Sequence, residues 1–372
     1  MKLIIARSDL LRSLQHVQSV VERRNTIPIL SNIHLSAKGN ELGLMATDMD
    51  IWVHDRTSAV ISQDGTTTAP AHMLFDIVRK LPEGGEIELD ASGSTEELSL
   101  RSGSSRFNLA CLPVEDFPTS NDADLACRFQ IPASQFRQLI DKTRFAISTE
   151  ETRYYLNGIY LHVVTDGEIP VLRSVATDGH RLARVEVDLP DGAANMPGVI
   201  VPRKAVLELR KLLDSFEQAV DIAVSETKVR VAVGAAVLTS KLIDGTFPDY
   251  QRVIPEGNNK IMKINGDSFA RAVDRVSTVS RDKSKAIKLS LHGDKLVLSA
   301  NSPEQGSASE ALSVEYDSDD LDIGFNSRYV LDMTEQIEGK NMRFEMEDGA
   351  SPTVVVDVDD ARTIYVLMPM RV

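Results

Sequence analysis

One pattern, occurring three times in the same order, constrains this chain more than any single motif in it. In the first copy Leu10, Leu14, Val17, Val20 and Val21 fall on one face of a helix starting at Ser8, its expected N-cap, with Arg12, Gln15, His16 and Ser19 opposite. The stripe returns after Ser134 as Phe136, Ile140, Thr143, Ala146 and Ile147, and after Ser268 as Phe269, Val273, Val276 and Val279. Each copy then runs through alternating, strand-like segments into a short polar turn: Ala46-Thr-Asp-Met, Ala176-Thr-Asp-Gly and Ala300-Asn-Ser-Pro. A second helix is expected over 70–81, 202–213 and 326–337, followed by further alternating strands. The interval between copies exceeds solenoid periods of ~20–50 residues, so each copy reads as a domain. Joints in the polar or Pro/Gly-rich stretches 121–124 and 255–259 place the domains at 1–124, 125–256 and 257–372. The fold class is α+β, with each domain made of two helices packed on antiparallel sheet.

Composition narrows what such a chain can be. Apolar content of 42% with 26% charged residues suits a globular protein with a sizeable core. No apolar run is long enough for a membrane span, and the few apolar residues after Lys2 are too short for a signal-peptide core. Cys111 and Cys127 show neither zinc-type spacing nor a disulfide framework, so a cytoplasmic protein without metal or cofactor is expected. The net charge of −14 argues against nucleic-acid binding when taken globally. An acidic protein can still present one basic face. The polar faces of the first helices carry Arg12 and His16, Arg137 and Lys142, and Arg271 and Arg275, with Asp141 and Asp274 intruding.

The stretch Ala176-Thr-Asp-Gly-His-Arg-Leu182 has the look of a catalytic turn, and a metal-dependent nuclease or hydrolase using Asp48, Asp50, Asp178 and His180 is the enzymatic alternative. Two facts count against it. Asp48 and Asp178 occupy equivalent turns of different repeats, and the third copy reads Asn301-Ser-Pro-Glu, which breaks the acid pattern. No Gly-rich phosphate loop, zinc pair or nucleophile elbow occurs elsewhere.

Several longer stretches carry a resemblance. They are Thr26-Ile-Pro-Ile-Leu-Ser-Asn32, Arg153-Tyr-Tyr-Leu-Asn-Gly158, Ala176 to Leu182, Val201-Pro-Arg-Lys204, Thr239 to Tyr250 and Met368-Pro-Met-Arg371. In this order and spacing the chain resembles, over essentially its whole length, the sliding-clamp family, the beta subunit of bacterial DNA polymerase III. The resemblance implies a non-catalytic processivity factor: a head-to-tail homodimer closing as a ring, helices lining a hole around double-stranded DNA without sequence specificity, and strands outside. It further implies partners that dock through short linear motifs, among them the polymerase III alpha subunit, the clamp loader, other polymerases and repair proteins.

Carried over residue by residue, the family's DNA contacts fall on Arg24, Tyr154, Tyr155, Arg203 and Lys204. At two further matching positions this chain departs from the pattern: His72 stands where arginine is frequent and Glu150 where a neutral residue is common, and both weaken attraction to phosphate. The partner pocket falls on Leu156, Thr177, Gly179, His180, Arg181, Leu182, Pro248, Arg252, Val253, Val366, Met368, Pro369, Met370 and Arg371. Methionines adapt to several ligands and aliphatic walls bury a partner's Leu or Phe anchors, while the arginines stand at the rim. Dimer contacts fall on Phe107 and Leu109 of one copy against Thr278 and Val279 of the other, with Thr278 more polar than such a site calls for.

Overall fold

The structure is a computed structural model that describes residues 1–93, 96–119, 125–165, 169–280 and 285–372. The expected joint at 121–124 lies outside the described residues. The six α-helices of the described residues are α1 (Arg7–Gln18), α2 (Ala71–Lys80), α3 (Ala133–Arg144), α4 (Arg203–Leu212), α5 (Gly266–Ser277) and α6 (Ser327–Thr334). They are the two helices per repeat that the apolar spacing predicts. Leu10, Leu14, Val17, Phe269 and Val273 are all fully buried, and Phe136 and Ile140 nearly so. Each such side chain contributes about 1.5–3 kcal/mol of burial free energy.

The helix starts differ from expectation. Ser8 is not an N-cap: α1 begins at Arg7, straight from the strand Lys2–Ala6, with Ala6 in the cap position and no side-chain cap. The Arg7 N–H instead donates to the Gly85 carbonyl at 2.9 Å. The Arg7 guanidinium donates to the Val78 and Arg79 carbonyls at the end of α2. One residue thus starts one helix and satisfies the terminal carbonyls of another. In the third repeat the caps are asparagines: Asn265 Oδ1 accepts from Ser268 N–H, and Asn326 Oδ1 from Arg328 N–H.

The strands build two compact units that do not follow the repeat boundaries. The first unit takes Met1–Ser134, Pro190–Pro197 and Lys204–Leu242; the second takes Gln135–Leu189, Gly198–Arg203 and Ile243–Val372. In the first, an eight-stranded antiparallel sheet runs Cys127–Pro132, Ala219–Val224, Lys228–Val233, Ala236–Lys241, Ile51–Ser58, Glu41–Thr47, Asn32–Lys38, Gly65–Pro70. A five-stranded sheet accompanies it, with Ser105–Ala110 at one edge. The helix α1 packs on α2 and on the strand Ile51–Ser58.

In the second unit a nine-stranded sheet contains, in order, Val199–Pro202, Gly158–Val164, Val171–Thr177, Arg181–Asp188 and then Asp360–Leu367 with the strands beyond it. A four-stranded sheet there has Gly306–Ser313 at one edge and Leu321–Asn326 at the other. The helix α5 packs on α6 and on the strand Gly306–Ser313. The middle repeat is divided because its strands continue the sheets of both neighbours: Ala236–Lys241 pairs with Ile51–Ser58, and Arg181–Asp188 pairs with Asp360–Leu367.

The expected basic helix faces are corrected in part. Lys142 is buried, only 4% exposed, with its ammonium 3.0 Å from Asp360. His16 Nδ1 donates to the buried Asp55 carboxylate at 2.8 Å. Arg275 forks onto Glu310. Lys142 and Arg275 are thus paired with carboxylates and largely neutralised as a surface field, and His16 is tied to the fold through Asp55.

Candidate functional site

The turn at residues 177–181 is shaped by its own side chains. Thr177 Oγ1 donates to the Arg181 carbonyl at 2.7 Å and accepts from Gly179 N–H at 3.0 Å. Asp178 Oδ1 accepts from the N–H groups of His180 and Arg181. The first repeat builds the same turn, with Asp48 Oδ1 accepting from Asp50 and Ile51 and Thr47 Oγ1 from Met49. Met49 at φ 78° matches Gly179 at φ 88°, so the backbone alone does not demand glycine there. The glycine makes room: a Cβ on Gly179 would fall 2.5 Å from Arg153 Nη1.

These aspartates are turn-formers and ion-pair partners. Asp178 Oδ2 also pairs with Arg181, and Asp48 with Lys204. Among the described residues no group of three or more His, Cys, Asp and Glu is placed to hold a metal ion.

Beside this turn lies a cleft of about 270 Å³ whose lining includes Leu156, Leu182, Tyr250, Val366, Val253 and Met368. Leu182 and Val366 are register partners on adjacent strands, so two aliphatic side chains meet side by side in the floor. Leu156, Leu182, Tyr250 and Val366 belong to one buried apolar cluster, whereas Val253 and Met368 are more than a third exposed. The result is a fixed apolar floor under adaptable walls.

Tyr250 is held from behind. Its hydroxyl accepts from Arg173 Nη1 at 2.8 Å and meets His162 Nε2 at 3.0 Å. Arg173 is itself paired with Glu186. Burial first, then the positive charge of Arg173, push the His162 imidazole down to about 4, so it is neutral at physiological pH.

Nine of the expected pocket residues line the cleft: Leu156, Thr177, Gly179, Arg181, Leu182, Pro248, Val253, Val366 and Met368. His180, Arg252, Pro369, Met370 and Arg371 are not among its lining. His180 is exposed and stacks on Tyr329, with centroids 6.3 Å apart. Arg252 is paired with Asp249 and otherwise faces solvent. The Met370 N–H donates to the Gly324 carbonyl at 2.8 Å, so the tail is seated on the strand Leu321–Asn326 after a last strand ending at Leu367.

Arg181 is not a free rim cation. Its guanidinium donates to Asp332 and to the Phe145 carbonyl, each at 2.6 Å, and to Asp178 at 3.1 Å. It also lies over the rings of Tyr329 and Phe145. Sequence reasoning missed Arg153, Asp249 and Tyr250 as cleft residues and gave Tyr155 a different role. Tyr250 stands in a stretch that carries the resemblance; nothing in the spacing indicates that its ring turns into a cleft.

Comparison with known proteins decides the family. Profiles of the DNA polymerase III beta subunit match as its N-terminal domain over residues 1–121, its central domain over 130–249 and its C-terminal domain over 251–371. The chain belongs to the DNA polymerase III beta subunit family. It is 53% identical to the beta sliding clamp of Caulobacter vibrioides and 38% to that of Escherichia coli K12, covering all of each. Among solved structures, it resembles a Bartonella birtlesii DnaN sliding clamp bound to griselimycin at 50% identity and a TM-score of 0.97, covering both chains fully. The Pseudomonas aeruginosa beta subunit follows at 39% and 0.92, again over both full chains. The fold is thus the α+β clamp fold, and the function is that of a non-catalytic processivity factor of the replicative polymerase.

The remaining residues expected to contact DNA or a second copy have definite environments. Arg24 and Arg203 are exposed and form no ion pair among the described residues. Tyr154 is 53% exposed and sits edge-on to Tyr155. Lys204 is held between Glu22 and Asp48; burial opposes its charge, but the two carboxylates outweigh this and raise its pKa. His72 has both ring nitrogens engaged, with Gln18 Oε1 at 3.1 Å and the Val21 carbonyl at 2.9 Å. Glu150 forms a two-point pair with Arg153. Phe107 is half-buried and Leu109 buried on the edge strand Ser105–Ala110. Thr278 caps α5 and satisfies its hydroxyl on the Asp274 carbonyl, so its polarity costs nothing there. Val279 beside it is half-buried.

Proposed function

We propose that two copies close head to tail into a ring around duplex DNA, each contributing domains 1–124, 125–256 and 257–372, and that partners dock in the cleft beside residues 177–181. One observation carries the ring. Repeats are joined twice within the chain by the same kind of strand pair, Ala236–Lys241 with Ile51–Ser58 and Asp360–Leu367 with Arg181–Asp188. Each joins the final strand of one repeat to the third strand of the preceding sheet group. The two remaining strands of these classes are Ser105–Ala110 and Gly306–Ser313, and both are sheet edges. Pairing each with its counterpart in a second copy repeats the internal joint and leaves neither edge open. Phe107 and Leu109 lie on the first edge; Thr278 and Val279 follow the helix packed on the second.

Enclosure replaces tight binding, so DNA contact through Arg24, Arg203 and Tyr154 is weak, non-specific and salt-sensitive. Lys204, His72 and Glu150 contribute little because their polar groups are already engaged. The cleft accepts the apolar anchors of a short peptide from the polymerase III alpha subunit, the clamp loader or repair proteins, in the cytoplasm; no described helix is long and apolar enough to cross a membrane. Sedimentation at micromolar concentration tests closure: a dimer is expected, with Phe107→Asp shifting it to monomer. A wild-type chain that sediments as a monomer overturns the ring. After loading, retention on circular but not linear DNA distinguishes enclosure from ordinary affinity.

A further inference from the structure

The first helices of the repeats, α1, α3 and α5, are each 12 residues long, and the residues that follow them are Ser19, Phe145 and Thr278. The second helices, α2, α4 and α6, carry an acid at the same place, their sixth residue: Asp76, Glu208 and Asp332. At both joints within the chain these two positions are linked. Ser19 Oγ, at the end of α1, donates to the Glu208 carboxylate on the second helix of the next repeat. Phe145, at the end of α3, is tied to Asp332 of the next repeat through the Arg181 guanidinium, which donates to the Phe145 carbonyl and to the Asp332 carboxylate at 2.6 Å each. The acid of one second helix is thus fastened to the end of the first helix of the preceding repeat.

Asp76 and Thr278 are the members of the two series that no joint within the chain uses. Each has the geometry of half a joint. Glu208 has two partners: Lys211, three residues on, donates to Oε1 at 2.8 Å, and Ser19 donates to Oε2. Asp76 repeats the first half of this, with Arg79, three residues on, donating to Oδ1 at 2.9 Å. Among the described residues nothing meets its Oδ2, and the Asp76 side chain is 48% exposed where that of Glu208 is 7%. Thr278 is exposed as well. Its hydroxyl donates to the Asp274 carbonyl at 3.1 Å, but Ser277 Oγ donates to the same oxygen at 3.1 Å, so Thr278 can turn away without leaving that carbonyl unpaired. An ionised carboxylate is a stronger acceptor than a carbonyl and repays the turn.

We propose that the Thr278 hydroxyl of one copy donates to Asp76 Oδ2 of a second copy, completing at the closing joint the link that Ser19 and Glu208 make inside the chain. This contact rests on the proposed ring, in which the edge strands Ser105–Ala110 and Gly306–Ser313 of two copies pair, and it sets α2 of one copy against the end of α5 of the other. It gives the polar Thr278 a role beside Phe107 and Leu109. Apolar burial is non-directional, whereas a charge-assisted hydrogen bond fixes one alignment of the two copies.

The test is the dimer dissociation constant of the full-length protein, measured by sedimentation across a dilution series. A ring has two such joints, so a loss of about tenfold at each reads as about a hundredfold in the dissociation constant. Asp76→Ala and Thr278→Val are each expected to weaken the dimer by that factor, and the double variant to be no weaker than either single one. Asp76→Glu, which reproduces Glu208, and Thr278→Ser, which reproduces Ser19, are expected to stay within about threefold of wild type. If wild type dimerises and either Asp76→Ala or Thr278→Val dimerises as tightly, the contact is overturned and the ring stands. Additive losses in the double variant also overturn it, because the two groups then act separately. A monomeric wild-type chain overturns the ring itself, and this contact with it.

Discussion

Arg181 offers the sharpest separation between a residue that contacts a ligand and one that builds the site. Its side chain is 10% exposed, and it holds two carboxylates and a carbonyl while lying 4.4 Å from the Tyr329 ring centroid. Replacing it by Met keeps the aliphatic stem but strands Asp178 and Asp332. Removing one partner from a buried ion pair costs about 3–5 kcal/mol. Asp178 and Asp332 remain 16% and 29% exposed and recover part of their hydration, which brings the expected loss to about 3 kcal/mol. For a unit of this size that is a fall in melting temperature of roughly 6–12 °C. Arg181→Lys keeps the charge but cannot reach three acceptors at once, so less than half of the loss is recovered. Calorimetric melts are paired with fluorescence-polarisation affinities for a Gln-x-x-Leu-Phe-like peptide, measured well below the melting transition. There the affinity is expected to change by less than about threefold, because the guanidinium is already saturated by the protein. A variant that melts within 2 °C of wild type yet loses peptide binding tenfold or more would falsify this reasoning and return Arg181 to the rim.

Three further outcomes follow from the geometry. Met368→Ala, which opens one wall of the cleft, is expected to weaken the same peptide by about 1–2 kcal/mol, whereas His180→Ala, off the lining, leaves polarisation titrations nearly unchanged. His162 has a folded-state pKa near 4, below the ordinary histidine value, so its neutral form contributes stability in full above about pH 6.5, and that contribution drains away as pH falls toward 4. Discounted for partial exposure it amounts to about 2 kcal/mol, so His162→Gln should flatten the loss of melting temperature between pH 7 and pH 4.5; an equally steep loss in the variant refutes the assignment. Gly324→Ala puts a Cβ against Val372 and 2.6 Å from the Met370 carbonyl oxygen, so the tail is expected to lift and become sensitive to carboxypeptidase. A tail equally resistant in the variant would show that Gly324 does not seat it.

Much of the fold was legible in the amino-acid order because helix faces are local. Leu10, Leu14 and Val17 recur at helical spacing, and their burial follows from that spacing alone. The helix starts were less legible: Ser8 has the chemistry of a cap, yet the preceding strand leads directly into Arg7, whose partners are distant in sequence. The cleft was partly legible. Leu182 and Val366 were expected together through family likeness, whereas Arg153 and Tyr250 turn into the cleft by packing that no periodicity encodes. Charged residues were the least legible. Lys142, Arg181, Lys204 and His72 all looked available, and each is committed to a partner on another element.

The amino-acid order by itself determined the threefold repeat, the helices and the turn at 176–182, because these depend on spacing, side-chain volume and Asx-turn chemistry within a few residues. Only the tertiary structure decided which cations are spent and which strands remain as open edges. It also decided that Trp52 and Leu182, equivalent along the chain, line concavities of different polarity, the one around Leu182 being the more apolar. The reason is physical: an ion pair or a sheet joint depends on what lies a few ångströms away, and here those neighbours come from the far side of the sequence.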